Sequence, residues 1–213
     1  MMKYIIIGAV LVLIIGGFFA VQMMRGPDLS RYMFLKEPRI VVKPDTQVIE
    51  VPFEVSSEGL GSVFGVLFKT YFKTPGTPKG KDMPAPAARY ENLIDMTLPP
   101  EQRAEQYANI VWKGTAALPV PENVAELAPS TGREGLVPRL GRWRYGEVAE
   151  ILHVGPYEAE PPTVQRLMGF IEAEGYEIAG LHEEEYLRGP GMPFTKPENY
   201  HTILRYPVRK KSE

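Results

Sequence analysis

The sequence predicts an α+β fold: two pseudo-symmetric strand–helix–strand–strand repeats, each an antiparallel sheet carrying one helix, preceded by one transmembrane helix. Three observations predict it. An uncharged apolar stretch of membrane-spanning length opens the chain. Beyond it the apolar period switches between two residues and 3.6. The order of those periods then recurs at an offset of about 100 residues, and such self-similarity marks a chain built from related units.

Residues 4–24 contain no charged side chain, and Gln22 is their only strongly polar one. About 20 apolar residues in a helix cross a hydrocarbon core of about 30 Å. Lys3 precedes the stretch; Arg25, Gly26 and Pro27 end it. A cleaved signal peptide has a shorter apolar region that closes on small residues, and Phe18, Phe19, Val21 and Gln22 make no such site. The expected organisation is an anchor over 1–26, a juxtamembrane linker over 27–38 and one soluble domain over 39–213. A single-pass protein of a bacterial inner membrane is expected. Arg25, Arg31, Lys36 and Arg39 behind the span favour a cytoplasmic domain by charge count. A very short tail with one lysine is how N-in anchors begin, and on that ground the domain is expected outside the cytoplasm.

Residues 40–42 and 48–55 are rich in β-branched side chains and bounded by turn residues, as strands are. Leu60, Phe64, Leu67 and Tyr71 then fall on one helical stripe. Residues 75–86 form a loop rich in Pro, Gly and Lys. Strands are expected over 89–96 and 107–113, with a turn at Pro99–Pro100, and a polar loop over 119–135. The second repeat opens with a strand over 143–153, where Val148-Ala149-Glu150-Ile151 echoes Val48-Ile49-Glu50-Val51. Pro161 and Pro162 suit a helix start, Val164, Leu167, Met168 and Ile171 form a stripe, and Gly175 suits a helix end. Strands over 177–186 and 201–208 complete it. The groove where the halves meet is the natural ligand site.

Composition narrows the function. The chain has no cysteine, which excludes disulfides, thiol nucleophiles and thiolate metal sites. A formal net charge of −2 supplies no drive toward nucleic acid, so no nucleic-acid partner is expected. Phosphate-loop, dinucleotide and serine-elbow motifs are missing. The three histidines, His153, His182 and His201, have no metal-ligand spacing. Neither a metal nor a cofactor is expected.

Three blocks carry a specific resemblance. Residues 137–157 end in His153, Gly155, Pro156 and Tyr157; residues 180–190 read GLHEEEYLRGP; residues 196–208 read KPENYHTILRYPV. In this order and spacing they resemble the GyrI-like family of small-molecule-binding domains, whose fold is shared by the SOUL proteins. That resemblance covers about 75 residues strongly and the first repeat by pattern. It implies multidrug-type binding or, as in some stand-alone members, hydrolysis of strained cyclopropyl electrophiles. The apolar N-terminus, the lack of a helix-turn-helix and the long loops depart from the family's transcription factors.

Glu184 and Tyr186 are the central candidates. On a strand, residues i and i+2 share a face. The resemblance maps the family's buried acidic residue onto Glu184. By itself, the run Glu183-Glu184-Glu185 would read as solvated. Tyr157 and Phe170 are the expected walls, and Tyr90, Trp112 and Trp143 are further aromatic candidates for stacking and cation–π contact. The leading function is capture of a hydrophobic or cationic small molecule near the membrane. Two others stay open: a hydrolase using Glu184 and Tyr186, and a protein–protein module regulating a membrane complex.

Overall fold

The computed structural model describes residues 28–94, 98–129, 135–190, 192 and 195–211. The transmembrane helix expected over 4–24 lies outside them. Among the described residues, no helix is long and apolar enough to cross a membrane. The elements run β1 (Arg39–Lys43), β2 (Thr46–Ser56), α1 (Leu60–Lys73), β3 (Ala87–Tyr90), α2 (Pro100–Asn109), β4 (Val111–Pro119), β5 (Arg139–Trp143), β6 (Gly146–Val154), α3 (Pro161–Ala173), β7 (Tyr176–Ile178), β8 (His182–Arg188) and β9 (His201–Lys210).

The repeat is visible in the register. β1 and β2 are one long strand bent at Pro44 and Asp45; β5 and β6 are its counterpart, bent at Arg144 and Tyr145. Arg39 pairs with Glu150 and Lys43 with Gly146, then Thr46 with Trp143 and Glu50 with Arg139, so one register runs through both bends. The Tyr145 N–H donates to Asp45 Oδ1 at 3.1 Å and ties the bends together. Two ion pairs, Arg39–Glu150 at 2.6 Å and Arg139–Glu50 at 2.7 Å, are copies of each other.

Two sheets were expected, and the structure corrects this to one. All strands join a single antiparallel sheet in the order β1-β6-β9-β8-β3-β4-β2-β5, with β7 added on β9. β3 pairs with β8 across the halves, Ala88 opposite Glu184 and Tyr90 opposite His182. Left apart, each half would present an unpaired strand edge. Because β1 leads into β2 and β5 into β6, the pairings return on themselves and the sheet curls.

Alternation along the strands separates two faces. On the outer face, Ile49, Val51, Ala116 and Leu118 pack with Val63, Leu67 and Tyr71 of α1. Ala149, Ile151, Leu204 and Tyr206 pack with Val164, Leu167 and Ile171 of α3. The inner face is ionic. Arg205, 2% exposed, donates to Glu183 at 2.6 Å, Glu150 at 2.9 Å and Glu185 at 3.0 Å. One end is closed by Leu35, from a 3-10 helix over Ser30–Lys36, which packs on Leu152, Leu187 and Ile203. Part of the segment expected as linker is thus docked on the domain.

The loop between β3 and β4 also differs from expectation. The strand ends at Tyr90, Pro100 begins a helix that runs to Asn109 in place of the turn, and the strand expected over 107–113 starts only at Val111. Residues 101–109, EQRAEQYAN, consist largely of good helix formers, and proline is tolerated at a first helical position. The single strand expected over 177–186 is likewise divided into β7 and β8. Gly180 lies between them, where an added Cβ would sit 2.8 Å from Pro207.

Candidate ligand-binding site

Between α1 and α3 the outer face is crossed by β3 and β8. Strand period brings Glu184 and Tyr186 to this face together with His182, and β3 contributes Ala88 and Tyr90. Tyr186 donates its phenolic proton to Glu184 Oε2 at 2.7 Å, and Tyr90 in turn lies 2.6 Å from the Tyr186 oxygen. With the Tyr186 proton committed, Tyr90 is the donor of that second bond. His182 Nε2 is 3.2 Å from Glu184 Oε1. Burial pushes both phenols far above their ordinary range, and the Glu184 charge adds to the effect. The chain Tyr90 → Tyr186 → Glu184 therefore stays protonated on its two rings.

Aromatic rings surround this chain. Phe64, from α1, meets Tyr186 edge-on at 5.5 Å between centroids, and Tyr157 does so at 6.0 Å. Trp112 packs on Tyr90 at 5.4 Å, and Tyr107 of α2 packs on Trp112 at 5.8 Å. Tyr157 is placed by the turn that precedes α3. Gly155 has φ +139°, which favours glycine. His153 Nε2 donates to the Pro156 carbonyl at 3.1 Å, and its Nδ1 accepts from Thr163 Oγ1 at 3.0 Å. Burial lowers the pKa of His153, in keeping with this neutral, one-donor role. Behind the ring, a Cβ on Gly189 would lie 3.0 Å from the Tyr157 oxygen, so glycine leaves the phenol its room.

Unsatisfied polar atoms collect at the same place. Among the described residues, three buried side-chain atoms lack a hydrogen-bond partner: Glu160 Oε1, His182 Nδ1 and Thr202 Oγ1. His182 adjoins Glu184, and Thr202 pairs with Tyr186 across β8 and β9. Glu160 stands before α3 and makes no side-chain cap bond to it. Burial raises its pKa to about 10, with Glu184 and then Glu158 adding to the shift. Buried polar groups are normally satisfied, so three together call for an explanation.

The structure brings Glu184, Tyr186, Tyr157, Tyr90 and Trp112 into one site. It does not bring Trp143 there: that indole lies on the inner face, donating to Glu50 at 3.0 Å beneath the Arg89 guanidinium. Nor does it bring Phe170 to these rings. Phe170 is half-buried on α3, one turn beyond Arg166, which donates to the Lys36 carbonyl outside the site. Sequence reasoning passed over Glu160, Tyr107 and Phe64. Phe64 stood on the stripe read as core, and Tyr107 stood in a segment read as strand. Glu160 could have been found as the acidic residue that directly precedes the proline pair opening α3.

No protein-family model matches the sequence, and no curated protein matches it significantly. Solved structures do match in shape. An uncharacterized conserved protein from Listeria innocua superposes with a TM-score of 0.61 at 21% identity, covering 86% of this chain and 100% of its own. A hydrolase from Listeria innocua gives 0.56 at 18%, covering 87% and 100%. The EcmrR C-terminal domain gives 0.52 at 13%, covering 82% and 98%. These likenesses concern the fold, and they support the GyrI-like architecture that residues 137–208 implied.

Proposed function

We propose that the site binds a hydrophobic, cationic small molecule, with the positive charge against Glu184 and the aromatic rings around its body. One contrast carries this reading. Glu183 and Glu185, on the inner face, are both paired with Arg205. Glu184 lies between them in sequence on the opposite face, and among the described residues its polar partners are a tyrosine and a histidine. A carboxylate set among aromatic rings without an arginine or lysine is a receptor for an incoming cation. Each cation–π contact adds about 0.5–2 kcal/mol. Tyr157 and Tyr107 are partly exposed over the buried rings, and their movement would admit the ligand.

The test is Glu184→Gln. Affinity for a lipophilic cation should fall at least roughly tenfold, equivalent to about 1.4 kcal/mol, with a neutral ligand of similar bulk little affected. Calorimetric titration of both proteins checks it, and equal cation affinity would sink the reading.

A second reading, hydrolysis of a strained electrophile, is favoured by the Tyr186–Glu184 bond and by Glu160 nearby, a carboxyl whose pKa burial raises. Under it, Glu184→Gln abolishes turnover and spares binding. We further propose that residues 4–24 hold the domain at a membrane, outside the cytoplasm. The support is their uncharged, spanning-length sequence. N-terminal sequencing of the membrane-extracted protein should find residue 3 retained, and a mature start near residue 26 would end that proposal.

A further inference from the structure

We propose that Glu160 is a second ligand-binding carboxylate of this site, and that a lipophilic cation entering beside Glu184 drives one proton off Glu160. The proposal rests on the cation-binding reading above and adds a residue and a linkage to it.

Glu160 is 6% exposed, yet one of its oxygens meets no donor among the described residues. It stands at the start of α3, where a carboxylate ordinarily caps backbone N–H groups, and it makes no such bond. The repeat shows that the fold does not need it. At the offset of 100 that relates Arg39–Glu150 to Arg139–Glu50, the counterpart of Glu160 is Leu60. Leu60 opens α1 and packs partly buried on the first core cluster. An apolar side chain therefore serves at this place in one half. The other half carries an acid there, and a buried acid without a partner is costly.

The groups acting on Glu160 are all acids. Glu184 on β8 and Glu158 in its own turn both favour its protonated form. Burial pushes up Tyr90 on β3, Tyr107 on α2 and the neighbouring Tyr157, and Glu160 adds a smaller push to each. The Tyr186 phenol on β8 is committed to Glu184. No lysine or arginine figures among these influences. Burial and these acids thus hold the proton on Glu160, with a pKa raised to about 10. A fixed positive charge arriving within a few ångströms reverses the balance, because an opposite charge favours the ionised form. The proton leaves as the cation enters, and cation affinity therefore rises with pH through the neutral and mildly alkaline range.

The experiment is calorimetry on the full-length chain in nanodiscs of zwitterionic lipid, with empty nanodiscs as blank. The probe is benzyltributylammonium, and the neutral comparison is N,N-dibutylbenzamide. Titrations near pH 7.5 in buffers of different ionisation enthalpy give the number of protons exchanged. The expected result is release of close to one proton with the cation and none with the amide. Glu160→Gln should then abolish the release and weaken the cation at least tenfold. Cation binding without proton release, or a Glu160→Gln protein that still releases the proton, overturns the role of Glu160 and leaves the Glu184 reading intact. A wild-type protein that does not bind the cation overturns both. The wild-type proton count needs no variant, so misfolding of Glu160→Gln cannot blur the outcome.

Discussion

Phe53, Leu60, Ala87, Ala88 and Ala117 in the first half occupy the places that His153, Glu160, Glu183, Glu184 and Arg205 occupy in the second. The strand registers make the equivalence. Phe53 and Leu60 follow from the offset of 100. Ala88 and Glu184 face each other across the junction of β3 and β8, with Ala87 and Glu183 as the adjacent equivalent pair. Glu50 opposite Ala117 matches Glu150 opposite Arg205. One backbone plan thus tolerates small or apolar residues at all five places. The five polar residues of the second half are not requirements of the fold. On the outer face they gather at the candidate site; on the inner face they form a buried ion network. The first half contributes rings alone, and the second contributes the carboxylates together with Tyr157 and Tyr186.

Removing Arg205 should break this contrast most severely. In Arg205→Met, Glu183, Glu150 and Glu185 lose a shared partner at a buried position. Breaking a buried ion pair costs about 3–5 kcal/mol, and denaturant unfolding of the folded domain should show a loss of that order. Ala117, its counterpart, stands opposite one carboxylate, Glu50, which Arg139 and Trp143 already satisfy, so no arginine is called for there.

Glu160→Leu goes the other way. It installs the residue of the first half and removes an unpartnered buried oxygen, so stability should rise by about 1–3 kcal/mol while cation binding is lost. The gain should grow with pH. The folded state keeps a proton that the unfolded state sheds above about pH 4.3, since the folded pKa is raised to about 10. Wild-type stability therefore falls as pH rises between these values, and the leucine variant has no such slope. Unfolding curves of both proteins at pH 5, 7 and 9 check the sign. A constant difference would mean that Glu160 is ionised in the folded domain.

The smallest effect concerns a ring that both halves share. Tyr90→Phe removes one donor and leaves the Tyr186–Glu184 bond in place. Loss of a single hydrogen bond is worth about 0.5–1.5 kcal/mol. Stability should drop by no more than that, and cation affinity should change little. A drop as large as that of Glu184→Gln would move Tyr90 from support into direct contact with the ligand.

Much of this architecture was legible before any coordinates. The echo of Val48–Val51 in Val148–Ile151 is the register itself, and the stripe from Leu60 to Tyr71 is the buried face of α1. The parity of Glu184 and Tyr186 put both on the site, because two-residue alternation survives in any strand. The same rule could not say that Trp143 faces inward. It sits beside the bend at Arg144 and Tyr145, and a bend decides which face a residue next to it takes. Phe170 was expected there from the resemblance alone, which sets no side-chain direction on a helix. The closure of two sheets into one rests on pairing between residues about 100 apart, which local periodicity does not carry.

The bends at Pro44–Asp45 and Arg144–Tyr145 also set the order in which the chain can become a protein. Arg39 finds its partner only when Glu150 exists, and Ala88 only when Glu184 does. At a synthesis rate of about 5–20 residues per second, the early strands wait roughly 5–20 s for their mates. Meanwhile Ile49, Val51 and Phe53 have no sheet beside β2 except what β4 supplies. Pairing so distant in sequence makes for slow closure, and the interval is the period in which the nascent chain most needs shelter from its neighbours.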